Sequence, residues 1–443
     1  MNTRNEKTKV KKNPDILPAA VSDWINYAAR HGTSNCQIHA VLEFQGHLDA
    51  AKLAEAVRMS VDIEPILGCR FVEEQIRPYW QRLVDIDDIK LCSLEETRDN
   101  EKTLRRFMSQ SFDEKHDTQV LVKIIRSGEN DTICVKMDHA CCDGGGIKEY
   151  LKLLSAIYTN LANGVRFEAK PSSPGKRDQS CLFRDMGIFN LKRAWNPQLA
   201  EQKPTWAFPY LLCQPAEPQF SIRKLFSRHV HAISTYAKKK CATINDILLT
   251  AFFRALFEMV KPYPGVPMEL LLTVDLRRYL PGGKPDAMCN LSGVASVRTA
   301  RVYMESFEAT LLRVVSQMKT VKNNHPGIYS AIFFEFLAGL SYREVLQIIE
   351  VGRLQSIISG KCSPALSNVG LISRSPLQFG DIAVRDAYLF SPAFYAPGFM
   401  LVTGTYNNIL TLTVSYYEPN INRVDVEQLL SLVSAELIAC CDT

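Results

Sequence analysis

The sequence predicts a mixed α/β protein with two sandwich-like domains, and three observations lead there. The chain has 443 residues, more than one ordinary domain holds and enough for two. Segments with the two-residue period of strands alternate with segments of helical period through both halves. Between the halves the composition changes: seven of the 22 prolines fall from Pro171 to Pro218, with Trp195 and Trp206 among them. That stretch, residues 166–220, reads as a crossover between a domain at 15–165 and a domain at 221–443.

Residues 1–14 read as a basic, flexible tail, where Arg4, Lys7, Lys9, Lys11 and Lys12 face only Glu6. Gln37 to Phe44 alternates Ile38, Ala40, Leu42 and Phe44 on one face, as a half-buried strand does. Asp49 is placed to cap a helix that turns Leu53, Ala56, Val57 and Ser60 inward. A second helix is expected over Asp99–Phe112, with Leu104, Phe107, Met108 and Ser111 inward. Val120–Ile125 and Thr132–Asp138 read as strands joined by a turn at Ser127–Asp131. From Ile147 the apolar residues Tyr150, Leu151, Leu154, Ile157, Tyr158 and Leu161 keep helical spacing until Asn163-Gly164.

The second half resumes the alternation. Thr243 and Asp246 form a capping-box pattern ahead of Ile247, Leu248, Ala251, Phe252, Ala255 and Leu256. Strands are expected at Glu269–Asp275 and Leu291–Val297, and a helix at Phe307–Val321. Phe399–Tyr406 and Ile409–Tyr417 read as a hairpin closed by Asn407-Asn408, and Val424–Ala439 as a last helix.

Composition removes several classes. With 46% hydrophobic residues the chain can bury a core, so it is not disordered throughout. The net charge of +5 sits almost wholly in the tail, and a near-neutral body argues against nucleic acid as a partner. No membrane span is expected: Arg254 and Glu258 interrupt Ile247–Val260, while Pro392, Pro397 and Asn407-Asn408 interrupt Ala387–Tyr417. Ile16–Val21 is too short for a secretory leader. The 13 cysteines are scattered without a C-x-x-C pair, which points to no disulfide framework and a reducing, cytoplasmic setting.

The chemistry-bearing feature is His139-Ala-Cys-Cys-Asp143-Gly144-Gly-Gly146, set between a strand and a helix. Such a junction presents side chains at the carboxyl edge of a sheet, where ligands bind. An imidazole is the side chain best matched to proton transfer near neutral pH. Asp143 can orient that imidazole, or it can turn away and pair with Arg277 or Arg278 to fix the loop; the second is favoured. A structural His139 is the plain alternative. A metal site lacks a third nearby ligand. A Cys141–His139 nucleophile pair conflicts with the short spacing. His229 and His231 would share one face of a strand, most simply at the surface. No G-x-S-x-G, phosphate-loop or dinucleotide fingerprint is present.

The segment Asp138-His139-Ala-Cys-Cys-Asp143-Gly144 resembles the H-H-x-x-x-D-G signature of the chloramphenicol acetyltransferase-like superfamily. That group includes BAHD acyltransferases, wax-ester synthase-type enzymes, alcohol acetyltransferases and the condensation domains of nonribosomal peptide synthetases. Further segments agree in order: Glu64-Pro-Ile-Leu-Gly-Cys-Arg70-Phe, Thr243-Ile-Asn-Asp246, Val274-Asp-Leu-Arg277 and Leu366-Ser367-Asn368-Val-Gly370. The resemblance is strongest to stand-alone condensation-like and alcohol acetyltransferase-like members. Two departures stand out: Asp138 replaces the first histidine, and no D-F-G-W-G segment occurs, Gln378-Phe379-Gly380-Asp381 being nearest.

The resemblance implies two chloramphenicol acetyltransferase-like domains arranged as a pseudo-dimer, with an active-site tunnel between them. It implies His139 as general base, and Asp143, Gly144 and Arg277 as structural residues of the active site. It places Ser367 and Asn368 on the tunnel, where either could serve the oxyanion. The implied reaction moves an acyl group from a thioester, acyl-CoA or acyl-carrier, to an alcohol or amine. No bound cofactor and no metal are implied. Two other readings stay open: a condensation domain working on substrates held by an acyl carrier protein, and a non-catalytic binding module of the same fold.

Overall fold

The computed structural model describes residues 15–114, 116–168, 170–173, 177–194 and 203–440. The tail 1–14 and Trp195 lie outside the described residues.

Two six-stranded sheets organise the molecule. The first runs, in spatial order, Gln378–Phe379, Ile382–Phe390, Gln37–Phe44, Asn130–Asp138, Val120–Ser127 and Cys92–Glu96. The second runs Ser292–Ala300, Pro267–Asp275, Ala365–Leu371, Met400–Tyr406, Ile409–Tyr417 and Pro218–Leu225. A small third sheet joins Ile16–Pro18, Tyr79–Arg82 and Cys69–Val72.

The first sheet buries one face against the helices Ala50–Ile63 and Gly144–Ala162. There Ile38, Ala40, Leu42 and Phe44 meet Leu53, Val57, Leu151 and Leu154. Val41, Ile125 and Cys134 point to the opposite face, covered by Leu104, Phe107 and Met108 of the helix Asn100–Ser109. Ser111 lies beyond that helix and is exposed, so its expected inward position fails: the capped turn from Asp99 ends at Gln110. The second sheet packs on the helices Ile244–Val260, Phe307–Asn323 and Arg423–Ala439.

Local signals work where a single side chain sets the geometry. Asp49 accepts hydrogen bonds from the amides of Ala51 and Lys52. Thr243 and Asp246 close a reciprocal capping box. Asn407 and Asn408 take φ of 45° and 58°, as a two-residue hairpin turn demands.

One strand crosses between the two halves of the sequence. Ile382–Phe390 leaves the C-terminal half and pairs with Gln37–Phe44, for example Tyr388 with Val41 and Leu389 with Ala40, and Gln378–Phe379 pairs in turn on its outer side. Sheet membership thus cuts across the 15–165 and 221–443 division, because the exposed edge of Gln37–Phe44 is covered by a strand far away in sequence. The described part of the crossover 166–220 is anchored to the body of the protein. Arg177 within it is only 2% exposed and pairs with Asp23 at 2.8 Å.

Candidate active site

His139 follows directly on the strand Asn130–Asp138, and three groups fix its backbone and that of the loop after it. Its amide donates to the Cys36 carbonyl at 2.7 Å. Asn290 Nδ2 donates to the carbonyls of His139 and Ala140, at 3.0 and 2.8 Å. Arg177 donates to the Cys141 carbonyl at 3.2 and 3.3 Å, and also to the Met288 carbonyl. The loop is therefore clamped from two distant segments before any ligand arrives. Arg177 and Asn290 escaped sequence reading, since each acts on main-chain atoms and leaves no motif.

The His139 ring is half-buried and lines a cavity of about 90 Å³. Its Nδ1 is buried and has no hydrogen-bond partner among the described residues, whereas Nε2 retains accessible surface. Ile38, Ile147, Val369, Phe390, Phe394 and Met400 make much of the wall apolar. Polar groups enter from the second sheet: Thr273, Ser292 and Ser367. Thr273 Oγ1 donates to Ser367 Oγ at 2.9 Å.

Asp143 caps the helix Gly144–Ala162 and anchors the junction. Its Oδ1 accepts from the Gly146 amide at 2.8 Å. Its Oδ2 accepts from the Leu291 amide at 2.8 Å and from Arg277 Nη1 at 2.9 Å. Arg277 Nη2 closes the second arm on Oδ1 at 2.9 Å. Burial alone would raise the Asp143 carboxyl, but the Arg277 guanidinium and the two amides outweigh it and hold it below the usual carboxylate range. Arg278, the other arginine considered, is exposed. Gly144 lies against the cavity, and a Cβ there would meet Val369 at 3.4 Å.

Asp138, where the superfamily signature has its first histidine, is turned out of the cavity. It accepts from Arg30 Nη2 at 2.7 Å and from the Ala140 amide at 2.8 Å. Arg30 in turn lies 3.6 Å over the Tyr27 ring. Strand alternation explains the separation: neighbours along a strand face opposite ways.

Ser367 and Asn368 part company for the same reason. Ser367 faces the cavity, whereas Asn368 pairs through Nδ2 with Asn245 at 3.3 Å and through Oδ1 with the Gly370 amide at 3.0 Å. Cys141 is wholly buried, and its thiol donates to the Asp138 carbonyl at 3.0 Å. Burial pushes that thiol well above its ordinary range, which removes it as a nucleophile. His229 and His231 lie on the helix Ser227–Lys239, not on a strand. Two residues apart on a helix they diverge, and His229 Nε2 accepts from Arg228 Nε at 3.1 Å.

Among the described residues, no helix is long and apolar enough to cross a membrane. A search of curated proteins returned no significant match. Solved structures do resemble the fold. The first condensation domain of the CDA synthetase is 14% identical with a TM-score of 0.70, covering 96% of this chain and 96% of that one. The TRI3 trichothecene 15-O-acetyltransferase from Fusarium sporotrichioides is 11% identical with a TM-score of 0.72, covering 96% and 95%. Polyketide synthase associated protein 5 from Mycobacterium tuberculosis is 14% identical with a TM-score of 0.68, covering 95% and 98%. At such identities the likeness concerns the two-lobed chloramphenicol acetyltransferase-like fold. The condensation-domain family model matches residues 24–261, more than half of the sequence, and this chain belongs to the condensation-domain family.

Proposed function

We propose that the protein is an acyltransferase that moves an acyl group from a thioester to an alcohol or amine, with His139 as general base. One observation carries the reading. An imidazole with an accessible Nε2 lines an apolar cavity whose far wall holds a hydroxyl group, Ser367.

The chemistry follows from that pairing. Nε2 takes the proton of the acceptor as its oxygen or nitrogen attacks the thioester carbonyl. The carbonyl oxygen gains charge and is met by the Ser367 hydroxyl. Collapse of the tetrahedral intermediate breaks the carbon–sulfur bond, and the departing thiolate takes the proton back from His139. The proton thus returns to solution on the thiol, and the enzyme ends unchanged. The Asp143–Arg277 pair stays out of the reaction and holds the loop. General-base help of this kind contributes roughly 10²–10⁴ in rate.

The donor thioester is acyl-CoA in this reading. Family membership favours a second donor, an acyl group carried on a separate carrier protein. Asp138 at the first signature position, locked to Arg30, favours single-histidine transfer to a free small acceptor.

The test is free-thiol release by purified protein with a panel of acyl-CoAs and alcohol or amine acceptors. Turnover should depend on acceptor and fall about 10²–10⁴-fold in His139→Ala with melting unchanged. Turnover only with carrier-bound thioesters would select the condensation reading. Absence of turnover with both donors would leave a binding module.

A further inference from the structure

We infer that Thr273 is a positioning residue of this site, aiming the Ser367 hydroxyl at the developing oxyanion. The inference rests on the acyl-transfer reading above and adds a second-lobe device to it.

The geometry begins in the sheet. Ala365–Leu371 runs parallel to Pro267–Asp275, with Leu366 beside Leu272. The next residue on each strand, Ser367 and Thr273, therefore sits side by side on the face turned to His139, and both line its cavity. Thr273 Oγ1 donates to Ser367 Oγ at 2.9 Å. Among the described residues Ser367 Oγ has no other hydrogen-bond partner.

That direction of donation decides the division of labour. Thr273 has committed its only side-chain proton to Ser367. Ser367 keeps its own proton, with one lone pair already occupied. A hydroxyl that accepts one hydrogen bond becomes a stronger donor in the next. The pair thus amounts to a two-step relay: Thr273 sets the orientation, and Ser367 presents the donor. Asn368 is excluded from this part by its bonds to Asn245 and to the Gly370 amide.

A double-mutant cycle tests this on the intact protein, with thiol release as readout. Ser367→Ala should lower kcat about 10²–10³-fold, as loss of an oxyanion donor does. Thr273→Val should lower kcat about tenfold, as loss of one neutral hydrogen bond does, with KM unchanged. Thr273→Ser should restore most of the loss. In the Ser367→Ala background, Thr273→Val should change nothing further.

Persistence of the tenfold loss in the Ser367→Ala background would overturn the relay. So would an effect confined to KM, or failure of Thr273→Ser to rescue a protein that melts normally. His139→Ala separates the two levels. If His139→Ala is impaired while the Thr273 effect is absent or additive, only this inference falls. If His139→Ala turns over normally, the acyl-transfer reading itself falls.

Discussion

Asp143 shows how one side chain can be indispensable to a site without touching its chemistry. Both oxygens are occupied, by two amides and a two-armed arginine. Replacing Asp143 by Asn would strip the buried Arg277 of its two-armed partner and leave it only the exposed Asp275 carboxylate at 3.2 Å, at a cost of up to about 3–5 kcal/mol. The folded carboxyl is held below its ordinary value, so its contribution is present above the usual carboxylate range. It is lost as pH falls through the depressed folded value. Denaturant midpoints should therefore converge for wild type and Asp143→Asn under acid and stay apart at neutrality. A variant that melts normally yet fails to turn over would assign Asp143 a direct chemical part. This residue was half legible in sequence: the need for an arginine was clear, the choice of Arg277 over Arg278 was not. Only the 3₁₀ turn Leu276–Tyr279, which buries Arg277 and exposes Arg278, decides it.

Between residue and fold stands the strand–loop–helix element, where legibility followed the range of the cause. Asp49 and Thr243 cap helices through atoms two or three residues away, and their sequence patterns suffice; Asp143 caps in the same local way, a role its reading as an arginine partner did not include. His229-Val-His231 misled because the two histidines mimic strand alternation. The better signal was Ile233, Tyr236 and Ala237, buried at the three- and four-residue spacing of a helix. The same element offers a stability test through its glycines. A Cβ at Gly145 would land on the Arg277 guanidinium, whereas one at Gly144 reaches Val369 at ordinary contact distance. Gly145→Ala should cost about 1–3 kcal/mol by overpacking, and Gly144→Ala clearly less. Equal losses in chemical denaturation would show that Arg277 does not confine the helix start.

At the scale of the whole molecule, the alternation of periods disclosed two sheets but not their membership. Pairing of Ile382–Phe390 with Gln37–Phe44 joins residues more than three hundred positions apart, and no local pattern encodes it. The uncharged stretch from Ala387 onward carried the hint, since a strand buried on both faces has no polar side. A fragment of residues 15–220 would leave the Gln37–Phe44 edge uncovered. Such a fragment should self-associate in size-exclusion chromatography with light scattering, and a monomeric, cooperatively melting fragment would contradict this.

The borrowed strand also bears on how reactants come and go. Main-chain ladders tie Ile382–Phe390 to one sheet, Thr413 Oγ1 donates to the Leu389 carbonyl from the other, and Phe394 bridges both Ser34 and Tyr416. Separation of the two sheets would strain the Thr413 hydrogen bond and the Phe394 bridge. Phe390, Phe394 and Met400, on or beside the tied segments, line the cavity next to His139. Bulk at those three positions therefore sets the room left beside the imidazole.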